Sequence, residues 1–483
     1  MCVNLRYGSG KRSAFLGVIL LGILVAFTAT AATLAQQTQA TLASLDRSEQ
    51  RLLIVAPHPD DEVLGAAGLA HQFLLAGSGV WVVLATNGDA NQGSARSWFG
   101  TQTVSPSQWV AYGEERQNET IAALAKLGVA EDHVFFLSYP DSGVDDLWGP
   151  NWSLSNPWRS PFTQVAASPY SRSLAPRTPY SGEAAWRDFA AVMAQVQPTL
   201  VLVPHPADTH QDHWSTHALA TTALEAWRAA DQGWAKDAIA YEYLIHWHNW
   251  PSPPGVGTHM GLSLPLGLEK TNTWERFSVD QAYRSLKSQA IATYKTQAPD
   301  NGSLAYLLSF SRAEELFAVP SVVRVPTAGA QLPAVMSTPN PGARKPGTPV
   351  TIAFSRNSLN ELQIELALSG QPLTGSNWLF SLYGVEPTSV ADGDLSITTI
   401  RIWPGQAPQV QVTGLYEGSV DSSVLATQIR AELRTVDGTS KLLLQIPLVM
   451  PISDTFLFSV STYNGNQLSE RTPYQMIYTL PDL

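Results

Sequence analysis

Apolar positions fall into two regimes along the chain. In the first, Leu52 to Ala56, Val80 to Ala85, Val134 to Leu137 and Leu200 to Val203 are continuously apolar, the pattern of strands buried on both faces of a parallel sheet. Helix-like stretches alternate with them: Val63 to Leu75 after the first run, Glu114 to Leu127 before the third, Trp186 to Gln197 before the fourth. This alternation predicts a layered α/β domain. In the second regime the period drops to two. Leu362, Ile364, Leu366 and Leu368 alternate with more polar neighbours, as do Ile400 and Ile402, Val410 and Val412, and Phe456, Phe458 and Val460. Turn formers such as Asp392-Gly393-Asp394 and Asn464-Gly465-Asn466 punctuate these runs, which predicts a small antiparallel β-sandwich.

The expected division is an N-terminal targeting segment over 1–35, an α/β domain over 48–325, a Pro/Gly-rich linker over 326–349 and the β module over 350–483. A stretch from Asn151 to Gly182, rich in Pro, Ser, Tyr and Trp and lacking periodicity, reads as a long insertion over the domain surface on the substrate side. At the start, Arg6, Lys11 and Arg12 precede an apolar run from Ala14 to Phe27 and then small residues ending Thr33-Leu34-Ala35. That order is a secretory signal, cleaved after Ala35 or Ala31; the alternative is an uncleaved membrane anchor. Both put the rest of the chain outside the cytoplasm, as a periplasmic, secreted or cell-surface protein.

Composition narrows the partners. The 483 residues are 44% hydrophobic and 14% charged, which suits a folded protein rather than a disordered one. With a net charge of -11 and no basic run after the N-terminal segment, a nucleic-acid partner is excluded. Membrane contact is expected only through the N-terminal segment. The single cysteine, Cys2, precedes that segment, so disulfides, thiolate metal sites and a cysteine nucleophile drop out of the exported part. A metal would have to be held by His, Asp and Glu.

Polar residues gather directly after the predicted strands. The first leads into Pro57-His58-Pro59-Asp60-Asp61-Glu62, the second into Thr86-Asn87-Gly88-Asp89, the third into Pro140-Asp141-Ser142-Gly143, and the fourth into Pro204-His205-Pro206-Ala207-Asp208-Thr209-His210-Gln211-Asp212-His213. Ligands of open parallel sheets bind outside the carboxyl ends of the strands, so four loops carrying carboxylates, imidazoles and amides converge on one edge. Imidazole nitrogen and carboxylate oxygen suit zinc, and a catalytic zinc keeps three protein ligands. His58 with Asp60 or Asp61 supplies two, and His210 or His213 a third; spacing alone leaves both choices open. The remaining carboxylate is then free to act on the metal's water, and the remaining imidazole to serve the leaving amine.

The segment Ala56 to Glu62 together with His210-Gln211-Asp212-His213 resembles the PIG-L/LmbE-like zinc de-N-acetylases. Arg116 with Glu119, Pro140-Asp141-Ser142-Gly143, Lys287 with Tyr294 and Gln297, and Arg312 with Glu315 extend the likeness over roughly Arg51 to Val319. The resemblance implies a Rossmann-like sheet and a zinc ion, or another divalent cation, held by His58, Asp61 and His213. It further implies Asp60 as general base on the metal's water, His210 as proton donor or oxyanion partner, and Arg116 and Asp141 as grips on sugar hydroxyls or a polar head. Asn87 and Asp89 are further candidates to touch substrate, and Asp212 is expected to orient a ligand imidazole from behind. The implied reaction is removal of an N-acetyl group from a sugar, glycolipid or glycoconjugate. The alternatives are a non-sugar N-acyl compound as substrate, or a glycan-binding surface protein built on an inactive enzyme domain. The β module would bind carbohydrate or fix the protein at the cell surface.

Overall fold

The computed structural model describes residues 42, 45–298, 300–328, 330, 332–339, 344–415, 421–447 and 452–479. The segment 1–35 expected to be a signal or anchor lies outside the described residues. Among the described residues no helix is long and apolar enough to cross a membrane. Residues from Arg47 onward form one compact unit.

The four apolar runs are strands: β1 (Arg51–Ala56), β2 (Gly79–Thr86), β3 (Val134–Tyr139) and β4 (Leu200–Pro204). Helices α1 (Asp61–Leu75), α2 (Pro106–Leu127), α3 (Gly182–Val196) and α4 (Gln211–Ala229) flank them. A further strand β5 (Ile239–Tyr243) pairs parallel with β4, and β6 (Thr273–Ser278) and β7 (Glu314–Val319) close the sheet antiparallel, in the order β3-β2-β1-β4-β5-β7-β6. The expected α/β layer is therefore present, with an antiparallel extension that the apolar pattern did not signal. β1 has β2 on one side and β4 on the other. Chain direction across the sheet reverses there, the position at which open α/β sheets form a binding crevice.

Two sheets make the sandwich. One joins β9 (Ala334–Ser337), β10 (Pro349–Arg356), β11 (Leu362–Leu368), β15 (Arg430–Val436) and β16 (Thr439–Ile446). The other joins β8 (Val322–Arg324), β12 (Ser376–Val385), β13 (Ser396–Ile402), β14 (Gln409–Gly414), β17 (Thr455–Asn464), β18 (Gln467–Arg471) and β19 (Gln475–Tyr478). Ile364, Leu366 and Leu444 from the first sheet meet Trp378, Phe380 and Phe458 from the second in one apolar core. The segment 326–349, read as a linker, contains β9, which pairs with β10; β8, ahead of it, already belongs to the second sheet. Tyr383, Val385, Ile397, Leu457 and Met476 on the outer face of that sheet share a second core with Trp186, Phe189, Leu219 and Ala223 of α3 and α4. The sandwich is thus packed against the helices of the α/β domain.

Candidate metal centre

The loops after β1, β3 and β4 meet. His58 Nδ1, Asp61 Oδ2 and His213 Nε2 lie 3.2, 3.1 and 3.3 Å apart, pair by pair. Ligand bonds of 2.0–2.1 Å in a tetrahedral site would space donor atoms by about 3.3 Å, so this triangle has the dimensions of one face of a cation's coordination shell. The other ring nitrogens agree. His58 Nε2 faces Asp212 Oδ2 at 3.1 Å and His213 Nδ1 faces Asp208 Oδ2 at 3.0 Å. A carboxylate only accepts, so the proton belongs on those nitrogens, leaving the lone pairs of His58 Nδ1 and His213 Nε2 aimed at the common point. The donor set fits a divalent cation. Overlapping groups of the same kind bring His210, His246 and Asp141 within reach of it.

Electrostatics points the same way. Burial opposes charge on both rings, yet the carboxylates around them prevail. Asp208 and Asp61 raise His213 to about 9, and Asp141, Asp212 and Asp61 raise His58 well above the usual imidazole value. A pocket so rich in buried carboxylate is built to hold positive charge.

Local backbone explains how each group arrives. Asp61 begins α1, and its Oδ2 also accepts the backbone N–H of His58 at 3.0 Å. Asp60, just ahead, has φ 117° and ψ -30°, a conformation rarely adopted by residues other than glycine. The Glu62 carboxylate accepts the Asp60 N–H at 3.0 Å and the hydroxyl of Tyr294, fixing the turn from below. Burial lifts Glu62 to about 7. His210 caps α4, its Nδ1 accepting the Asp212 N–H at 3.3 Å, which puts the ring proton on Nε2. His213 follows in the first turn of α4. Asp212 receives the N–H groups of Ser142 and Val144 at 2.7 and 3.1 Å as well as facing His58.

A cavity of about 700 Å³ stands over this cluster, lined by His58, Asp60, Asp61, Arg116, Asp141 and His210 among others. Burial pushes the Asp60 carboxyl well above its usual range, against the pull of Arg116, whose guanidinium is 3.6 Å away. Arg116 also donates to the carbonyls of Gly88 and Pro59, tying the first two loops together. Burial, then the neighbouring His58, His213 and His246, hold His210 down at about 3. Asp141 is held below the usual range against its burial by His58 and His210, and it accepts the Ala90 N–H at 2.7 Å.

Several expectations need correction. Asn87 and Asp89 do not line the cavity. Asn87 accepts from Gln117 and Ser138 at 3.1 and 3.2 Å, and Asp89 accepts the hydroxyl of Tyr170. Both brace loops through their side-chain oxygens. No residue of the 151–182 insertion borders the cavity either; it packs on α2 through Phe162 against Trp109 and supplies Tyr170. Arg116 and Glu119 face different groups: Glu119 accepts from the Thr296 backbone at 2.9 Å while Arg116 points to the cavity. His246 and Asp208 also join the centre. The His246 ring is 4.7 Å from that of His213, and Asp208 accepts the N–H groups of His210 and His246 at 2.9 Å each. No periodicity in the sequence marked either residue.

Fold and centre together define an α/β protein with a buried histidine–carboxylate cluster, of the dimensions that suit a cation, at the switch point of its parallel sheet. Residues 53–224 match the model of the PIG-L family, GlcNAc-PI de-N-acetylase. A 1D-myo-inositol 2-acetamido-2-deoxy-alpha-D-glucopyranoside deacetylase of Kineococcus radiotolerans is 32% identical over 200 residues, 38% of this chain and 48% of the relative. One of the same description from Salinispora arenicola is 25% identical over 271 residues, covering 53% and 79%. The chain thus spans about half the length of the first of these curated relatives. Among solved structures, the N,N'-diacetylchitobiose deacetylase from Pyrococcus horikoshii aligns with 58% of this chain and 86% of its own at 18% identity and a TM-score of 0.36.

Proposed function

We propose that this chain is a divalent-metal-dependent hydrolase that removes the acetyl group from the nitrogen of an N-acetylated sugar or glycoconjugate. The observation that carries this reading is the triangle of His58 Nδ1, Asp61 Oδ2 and His213 Nε2 at 3.1–3.3 Å, with a free carboxylate beside it. A PIG-L family match over the same loops supports the choice of reaction. Zinc is the cation that a His/His/Asp set suits best.

His58, Asp61 and His213 would hold the ion, which when bound supplies Lewis acidity and makes a water acidic enough to attack near neutral pH. Asp60 takes a proton from the attacking water as its oxygen bonds to the acetyl carbon. The φ of 117° presents the carboxylate to the cavity, and Arg116 at 3.6 Å favours its ionised form against burial. His210, neutral and with its proton on Nε2, donates a hydrogen bond to the carbonyl oxygen as charge develops there. The C–N bond then breaks and the nitrogen leaves with the proton from Asp60, giving acetate and the free amine. Arg116 and Asp141, on the cavity wall, are placed to bind sugar hydroxyls.

On the pattern of the first 35 residues we take the enzyme to act outside the cytoplasm. Purified protein should carry about one divalent ion per chain and release acetate from N-acetylglucosamine derivatives, with loss on chelation and recovery on adding zinc. Metal-loaded protein that releases acetate from no N-acetylated sugar would overturn the reading.

A further inference from the structure

Behind the wall of the metal centre lies a second cavity of about 720 Å³. Residues 206–209 and 247–249 border it, next in the chain to His210 and His246, which border the first. The two spaces are neighbours separated by one pair of loops. The far wall of the second belongs to the sandwich, through Lys345 and the end of β18.

The chemistry of this lining is not that of a leftover gap. Trp247 contributes a half-buried indole, a surface on which sugar rings stack, and half-buried Trp214 carries a cation on its ring. The Arg471 guanidinium carbon lies 3.6 Å over the Trp214 ring and 5.0 Å from that of Tyr474. No carboxylate of the lining is available to it. Glu470 is held by Arg344 at 3.5 Å, and Asp208 is turned toward His213 at 3.0 Å. Exposed Lys345 makes its hydrogen bond to the Ser469 carbonyl, at 3.0 Å. The cavity thus joins an aromatic face to two cations with no carboxylate in ion-pair contact, Asp145 and Glu470 acting on Arg471 and Lys345 only from farther off, the combination that recognises a negatively charged sugar.

We propose that this cavity is a second sugar subsite, taking a unit with a carboxylate or sulfate group that adjoins the N-acetylated unit being hydrolysed. The proposal rests on the deacetylase reading and narrows its substrate to an acidic oligosaccharide. The sandwich is then part of the substrate site.

The test uses the full metal-loaded chain and three tetrasaccharides: N-acetylglucosamine alternating with a uronic acid, its sulfated counterpart, and neutral chito-tetraose. Acetate release gives kcat and KM for each. Calorimetry with uronate and sulfated oligomers lacking N-acetyl groups measures the subsite alone. We expect KM at least about tenfold lower for an acidic tetrasaccharide than for the neutral one, about 1.4 kcal/mol. The preferred acid in both measurements distinguishes carboxylate from sulfate. Lys345→Met and Arg471→Met should each shrink that KM ratio, and Arg471→Lys should recover part of it. Because Arg471 also packs on Trp214, the exposed Lys345 keeps the test sound if Arg471→Met fails to fold. Equal KM for acidic and neutral oligomers, or a ratio untouched by Lys345→Met and Arg471→Met, would overturn the subsite. Acidic oligomer bound in calorimetry without acetate release from any N-acetylated sugar would uphold the subsite and remove the deacetylase reading.

Discussion

His58 and His213 stand 155 residues apart in the chain, yet Nδ1 of one and Nε2 of the other are 3.3 Å apart. Two imidazoles that close, with a carboxylate oxygen at 3.1–3.2 Å from both, frame the place of a single cation. Each is steered by its own rear carboxylate, Asp212 or Asp208.

Asp212→Asn tests that steering. The amide keeps the shape but can present an N–H to His58 Nε2, which favours the wrong tautomer. Affinity for zinc should fall about 10–100-fold with the fold retained, as read by competition with a chelating dye and by circular dichroism. Unaltered affinity would mean that Asp212 does not orient His58.

Asp60→Asn should lower kcat by about 10²–10⁴ while metal content stays near wild type. Asp60→Gly separates chemistry from backbone. It removes the base and also relieves a φ of 117°, a strain of about 1–3 kcal/mol. Thermal unfolding should move up while acetate release is lost.

Gly88 has φ +64°, and a Cβ there would meet Arg116 Nη1 at 1.6 Å. Gly88→Ala should therefore displace the guanidinium from Asp60 and Pro59. The expected result is lower stability together with a drop in kcat/KM, measured by melting temperature and acetate release, although residue 88 does not line the cavity.

Glu242 is raised to about 8 by burial alone. Between its ordinary value near 4.5 and that value, the folded chain keeps a proton that the unfolded chain has lost. Stability therefore falls with rising pH across this window, by about 1.4 kcal/mol per pH unit from this group, and levels off above it. Glu242→Gln removes the dependence, so its melting temperature relative to wild type should climb from pH 5 to pH 8. A constant difference over that range would rule out a buried, protonated Glu242.

The four central strands were readable because a strand buried on both faces leaves an unbroken apolar run. β5 to β7 were not. Ile239–Tyr243 carries Glu242 inward, and Thr273–Ser278 is an edge strand with mostly solvent-facing positions. The start of α2 was missed despite a local signal, the Ser105-Pro106-x-Gln108 capping box. At the centre, residue types and loop positions were enough to bring His58, Asp60 or Asp61, and His210 or His213 to one edge, since strand ends fix where those loops go; the choice of Asp61 and His213 came from the family resemblance. They were not enough for Asn87 and Asp89, whose loop is right but whose side chains turn inward. His246 and Asp208 depend on how β5 lies beside β4, a relation with no imprint in local pattern.

Trp214 follows His213 directly and stacks on the other side of α4, its ring 5.6 Å from that of Tyr474 in the sandwich. One helical turn therefore joins His213 of the cluster on one side to the β module's surface on the other. Cutting the chain before residue 350 to obtain a smaller enzyme would bare the flank that Tyr383, Leu457 and Met476 now cover, and would release the turn that keeps His213 in register. The α/β domain and the β module share that core and belong in one expressed piece.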